Sequence, residues 1–140
     1  MIYFSLKEFL HSDTALNNKI ENYPEVEEVE NIQEFVNTVL DPMREDYGKA
    51  INISSGFRSE ALNAKVKGTS ESGHRYGWCA DLQVKGNIRE FANWVYNWLT
   101  THNIKYDELL FEKSGKTEWL HFAWKGKGGR QRMKRFDIVK

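Results

Sequence analysis

The chain has 140 residues, 40% of them hydrophobic and 14% aromatic, which suits one domain (1–140) with a single core and leaves little room for a second. Its formal charge is zero, yet the first fifty residues hold 11 acidic and 4 basic side chains and the remainder 9 and 16. Cys79 is the one cysteine, so an intramolecular disulfide is excluded and no oxidising compartment is implied.

The N-terminus M-I-Y-F-S-L-K-E-F-L lacks a basic region followed by a sustained apolar stretch, and no segment reaches transmembrane length. The expectation is a protein made in the cytoplasm without a signal peptide, with no membrane insertion. If its substrate lies outside the membrane, something else must release it. The basic excess peaks in K-G-K-G-G-R-Q-R-M-K-R, which reads either as a solvated surface run or as a patch for an anionic polymer such as a cell wall. No nucleic-acid motif accompanies it, so nucleic acid is not an expected partner.

In chain order, residues 5–16 are expected to form a short helix opening at Ser5, with Glu8 completing a capping box. From Pro24, the spacing of Val26, Val29, Ile32, Val36, Val39, Leu40 and Met43 predicts an amphipathic helix ending near Tyr47 and Gly48. Residues 50–54 read as a buried strand leading into S-S-G-F-R-S, and Ser59 caps a helix running to Val66. The Gly- and Ser-rich stretch 68–77 puts His74 on a loop. Residues 78–84 return to strand character, with Cys79 and Asp81 on one face. A second helix buries Ile88, Phe91, Val95, Trp98 and Leu99, and D-E-L-L-F-E and W-L-H-F-A-W form paired strands through S-G-K. R-F-D-I-V adds an edge strand. The expected class is α+β, with a mainly antiparallel sheet packed with helices.

The chemistry concentrates in two segments, S-G-H-R-Y-G-W-C-A-D and E-W-L-H. Singly, a histidine or a strand aspartate is usually a satisfied polar group, but His121 lies in an apolar strand where a polar ring needs a reason. His74, Asp81 and His121 together can hold zinc through three protein ligands, leaving a position for water and a further carboxylate, Glu118, to take its proton. Residues three apart in a regular strand face opposite ways, so this role requires Glu118 to lie in the turn before the strand. Glu112 and Asp107 are the alternative bases. His11 and His102 are assigned structural roles, and Trp119 is either core packing or a wall of the substrate cleft.

The run S-S-G-F-R-S-E-A-L-N, the spacing S-x-H-x-x-G-x-x-A-D, Y-D-E-L-L-F-E and W-L-H resemble the D-Ala-D-Ala carboxypeptidase family of zinc peptidases over close to the full length. That family includes VanY-like carboxypeptidases and phage L-alanyl-D-glutamate endopeptidases, and shares its metal-site architecture with the hedgehog signalling domain. The resemblance implies zinc ligands His74, Asp81 and His121, Glu118 as general base, and Arg58 as a group that binds substrate or stabilises the oxyanion. It matches Ser72 as well, whose hydroxyl serves either the loop or the substrate. It further implies a peptidase acting on peptidoglycan stem peptides, of the small type found in phages and gut bacteria, with the bond cut left open between carboxypeptidase and endopeptidase; a monomer is expected. The alternative is a zinc-stabilised cell-wall binding module without turnover. Three positions depart from the family pattern: Cys79 where many members have alanine, Gly73 where a polar side chain is common, and Glu108 where glutamine is common.

Overall fold

The computed structural model describes residues 1–140. Two short helices open the chain, α1 (Leu6–Leu10) and α2 (Asp13–Asn17), where the sequence suggested one. The break is local: His11 is extended, and the Ser12 hydroxyl accepts from the Ala15 N–H, so Ser12 caps a new helix instead of continuing the first. The capping box of Ser5 and Glu8 is present.

The expected long helix is continuous but not uniform. It comprises α3 (Val26–Phe35), a π-helical stretch at Val36–Leu40, and α4 (Asp41–Tyr47). Within the stretch the Asp41 N–H reaches back to the Val36 carbonyl, five residues away. Pro42 follows at once, with no N–H to give and a ring that would crowd the carbonyl four residues earlier, and the widened turn accommodates it. Next come β1 (Asn52–Ser55), α5 (Glu60–Lys65), a 3₁₀ turn at Gly73–Tyr76, β2 (Cys79–Gln83), α6 (Ile88–Thr101), β3 (Glu108–Ser114), β4 (Thr117–Ala123) and β5 (Lys134–Val139).

The five strands form one sheet in the order β1-β2-β4-β3-β5. All neighbours are antiparallel except β3 and β5, which run parallel, so the α+β class holds and the sheet is mixed. β1 lies at an edge and is half exposed, where burial had been expected. No helix is long and apolar enough to cross a membrane.

Register decides what each face carries. On one face Ala80, Leu82, Leu109, Phe111, Leu120 and Phe122 point toward the helices. Phe35 from α3 meets Phe122 edge-on at 5.3 Å, and Phe91, Val95 and Leu99 from α6 complete this core. The other face carries Cys79, Asp81, Glu108, Leu110, Glu112, Trp119 and His121, because residues directly opposite in the ladder share a side: Asp81 faces His121, Leu110 faces His121, and Glu112 faces Trp119. Helices on one face leave the other for polar groups.

Candidate metal centre

Asp81 and His121 are cross-strand partners on β2 and β4, both under a tenth exposed. His74 reaches them from the 3₁₀ turn. Two features fix that turn: the Ser72 hydroxyl accepts from the His74 N–H at 3.3 Å, and the His74 carbonyl accepts from the Arg58 N–H at 2.9 Å. The Gly56–Arg58 loop is in turn held against α1 by the Phe57 N–H to Phe9 carbonyl bond of 2.7 Å. A Cβ on Gly56 would lie 2.8 Å from the Phe9 backbone, so this approach needs glycine.

The tautomers follow from what each ring faces. His74 Nδ1 lies 2.6 Å from the Gly56 carbonyl, which can only accept, so that nitrogen carries the proton and Nε2 offers a lone pair. Nε2 is 3.4 Å from Asp81 Oδ1. His121 is arranged with the opposite polarity: Nε2 lies 3.1 Å from Glu108 Oε1, and Nδ1 lies 3.0 Å from Asp81 Oδ1. Asp81 Oδ1 therefore lies between one nitrogen of each imidazole, and the sets His74, Cys79, His121 and Asp81, Glu112, His121 each bring ligand atoms within 4.8 Å of one another. Ligands about 2.1 Å from a tetrahedral zinc stand roughly 3.4 Å apart, close to the separations of Asp81 Oδ1 from His74 Nε2 and from His121 Nδ1. The donor set fits zinc, and the outer nitrogen of each ring already has the hydrogen-bond partner that orients a metal-binding imidazole.

In the metal-free chain a proton fills part of this role. Burial opposes charge on His121, but its hydrogen bonds to Asp81 and Glu108 prevail and push its pKa up to about 10. Burial likewise opposes charge on Asp81, yet the nearby His74 and the hydrogen bonds from both imidazoles hold its carboxyl well below the usual carboxylate range. Metal uptake must displace the His121 proton.

Glu118 does not join this cluster. β4 begins at Thr117, so Glu118 is already inside the strand, paired with Lys113, and three residues from His121 it faces the helices, in the field of Arg89 from α6. The condition for its role as base, a place in the preceding turn, is not met. Glu112 does share the site face: its Oε2 is 3.9 Å from His121 Nδ1, and Asp81, Glu112 and His121 present ligand atoms within 4.8 Å of one another. Burial raises the Glu112 carboxyl, offset in part by His121. Trp119 lies opposite Glu112, and its buried indole N–H also favours the Glu112 carboxylate. Asp107, the other alternative, is bound by Arg132 at 2.9 and 2.7 Å and is 1% exposed, which leaves it no free oxygen for proton transfer.

Arg58 stands at the rim of the cluster, its Nη2 3.8 Å from Asp81 Oδ2 and its Nε 3.3 Å from the Ser55 hydroxyl. Ser72 serves the loop through its cap bond. Half of the basic side chains of the tail are engaged: Arg132 holds Asp107, Lys125 lies 3.7 Å from the same carboxylate, and Arg135 stacks 3.7 Å over the Tyr96 ring. His11 pairs with Asp13, and His102 caps α6 against the Trp98 carbonyl. The geometry adds Glu112 as the nearest carboxylate not hydrogen-bonded to either imidazole, a residue that sequence spacing had ranked behind Glu118.

The family model for peptidase M15 matches residues 2–117. The chain belongs to the peptidase M15 family. Membership supports a metal-binding metallopeptidase, and the match includes His74, Asp81 and Glu112 while ending just before Glu118 and His121. No curated protein matches the chain by sequence.

The family assignment leaves Cys79 and Gly73 to this chain's own packing. Cys79 is fully buried, and its thiol is pushed well above the usual range by burial and by Asp81, so in the metal-free chain it is a neutral thiol. His74, Cys79 and His121 also bring ligand atoms within 4.8 Å of one another. A Cβ at Gly73 would lie 2.9 Å from the Cys79 sulfur, so the two departures from the family pattern are one packing arrangement. Gly73→Ala is expected to cost about 1–3 kcal/mol by overpacking, and Gly73→Ala with Cys79→Ala should recover most of it. Thermal melting of the single and double variants measures this, and an additive double variant would contradict it.

Proposed function

We propose that this chain is a zinc-dependent peptidase that hydrolyses the peptide stems of bacterial peptidoglycan, with His74, Asp81 and His121 holding the ion. The observation that carries the reading is the placement of Asp81 Oδ1 at 3.4 Å from His74 Nε2 and 3.0 Å from His121 Nδ1, beside a carboxylate and a guanidinium, on the sheet face that the large helices leave free. Zinc bound there would supply Lewis acidity, which brings water to its nucleophilic form near neutral pH and polarises a carbonyl.

The remaining steps belong to side chains. Glu112 accepts the proton of the attacking water and returns it to the leaving amine. Arg58 directs its guanidinium to the carbonyl oxygen as that oxygen becomes negative. Ser72 acts through the loop, holding His74 in place. Arg58→Ala should keep its zinc and lose about a hundredfold in turnover; unchanged kinetics would return Arg58 to its contacts with Asp81 and Ser55.

The stem-peptide assignment rests on family membership and on the motifs. Its test is mass spectrometry of purified peptidoglycan after digestion by the zinc-loaded chain, with a chelated control. Loss of a terminal alanine identifies a carboxypeptidase, and a cut after L-alanine identifies an endopeptidase. No metal-dependent product from several wall types would favour a wall-binding module without turnover. The chain is proposed to act as a monomer, at the wall, after release from the cytoplasm.

A further inference from the structure

His121 is held from behind by a carboxylate that is itself held by an arginine. Glu108 sits two register positions along the same face of β3, with its Oε1 3.1 Å from His121 Nε2 and its Oε2 3.5 Å from Arg132 Nη2. Arg132 is fixed in turn by the buried Asp107: its Nε and Nη2 take the two carboxylate oxygens at 2.9 and 2.7 Å, and its own backbone N–H reaches Oδ1 at 3.1 Å. The fork that binds Asp107 therefore presents the same nitrogen, Nη2, to Glu108.

We infer that Arg132 and Glu108 are positioning residues for the metal: Arg132 fixes the Glu108 carboxylate, and Glu108 fixes the tautomer and tilt of His121 so that Nδ1 faces Asp81. The inference rests on the metal-site reading proposed above. Its chemical basis is that a carboxylate only accepts, so Nε2 keeps its proton against Glu108, and when a metal displaces the proton on Nδ1 the lone pair is left on the side that faces Asp81. An amide at this position could turn either its oxygen or its NH₂ group toward the ring and would leave the tautomer undetermined. Arg132 removes a second freedom, since a carboxylate beside a guanidinium fork keeps one rotamer where a solvated one would sample several. A segment of the basic tail thereby works inside the domain, nine residues beyond the end of the strand that carries His121.

The test is the zinc dissociation constant by chelator competition, together with the visible absorption of the cobalt-substituted chain as a report on ligand geometry. Glu108→Ala should weaken zinc by about 10–100-fold and change the cobalt spectrum, while Glu108→Gln should fall between it and wild type. Arg132→Ala should weaken zinc in the wild-type background and have little further effect when combined with Glu108→Ala, because it acts through Glu108. Since Arg132→Ala also frees the buried Asp107 and can destabilise the fold, Arg132→Lys is measured beside it: it keeps the charge, loses the fork, and should show a smaller loss of the same kind. Equal effects of Arg132→Ala with and without Glu108 would overturn the coupling. Zinc binding by wild type with unchanged affinity in Glu108→Ala would overturn this inference alone, whereas a wild-type chain that takes up no zinc would overturn the metal site and the inference together.

Discussion

Glu112→Gln is expected to keep its zinc and lose about a hundredfold or more in turnover, while Glu118→Gln stays within a few-fold of wild type. The two residues differ by one fact of strand geometry. β4 begins at Thr117, which puts Glu118 on the face of Leu120 and Phe122 and leaves Trp119 and His121 on the other. Glu112 is the cross-strand partner of Trp119 and so shares the His121 face, 3.9 Å from Nδ1. Glutamine keeps the shape and removes the proton acceptor, so the comparison isolates proton transfer from packing. Steady-state hydrolysis of a stem peptide, with zinc content measured on the same samples, reads both. A hundredfold loss in Glu118→Gln with full zinc content would restore Glu118 as base and require β4 to open at its first residues when substrate binds.

His74→Ala is expected to lose zinc and hydrolysis together. His74 is 2% exposed, its Nδ1 is committed to Gly56, and its Nε2 has Asp81 as its neighbour. No other group can take its place without moving the 3₁₀ turn, with the exception of the Cys79 thiol. The thermal readout is separable from activity. A ligand present at a thousand times its dissociation constant stabilises the folded chain by about 4 kcal/mol, so wild type should melt markedly higher with zinc, and His74→Ala should melt at the same temperature with and without it. A zinc-dependent shift retained in His74→Ala, and lost only when Cys79→Ala is added, would make the thiol a substitute ligand.

Much of this arrangement is legible in the sequence, for physical reasons that can be stated. The stripe from Val26 to Met43 and the apolar face of α6 follow from a repeat of three to four residues, and both helices formed. His74, Asp81 and His121 stand out in the sequence because polar ligand types occur in a Gly-rich loop and in two apolar strands; in the structure Asp81 Oδ1 lies 3.4 Å from His74 Nε2 and 3.0 Å from His121 Nδ1, and their role as zinc ligands is the proposal made above. The base was harder. In a regular strand Glu118 and His121 face opposite ways, so the choice between Glu118 and Glu112 depends on whether β4 begins before or after Glu118, and S-G-K-T is long enough to allow either; only the ladder itself separates them. The break at Ser12 and the π turn before Pro42 were hidden because helix periodicity continues across both. Arg132 was counted as part of a basic surface; its inward role depends on contacts with Asp107 and Glu108, some 25 residues earlier, which no local pattern encodes. Gly73 and Cys79 were each visible as departures, but their mutual contact across the turn was not.

The central claim, that His74, Asp81 and His121 form a zinc centre on which hydrolysis depends, is tested most directly by chelation and reconstitution of the wild-type chain. The account predicts one zinc ion per chain, loss of stem-peptide hydrolysis on chelation, and recovery of hydrolysis in proportion to zinc restored. Hydrolysis that survives full removal of the metal, or a chain that takes up no zinc at all, would contradict it.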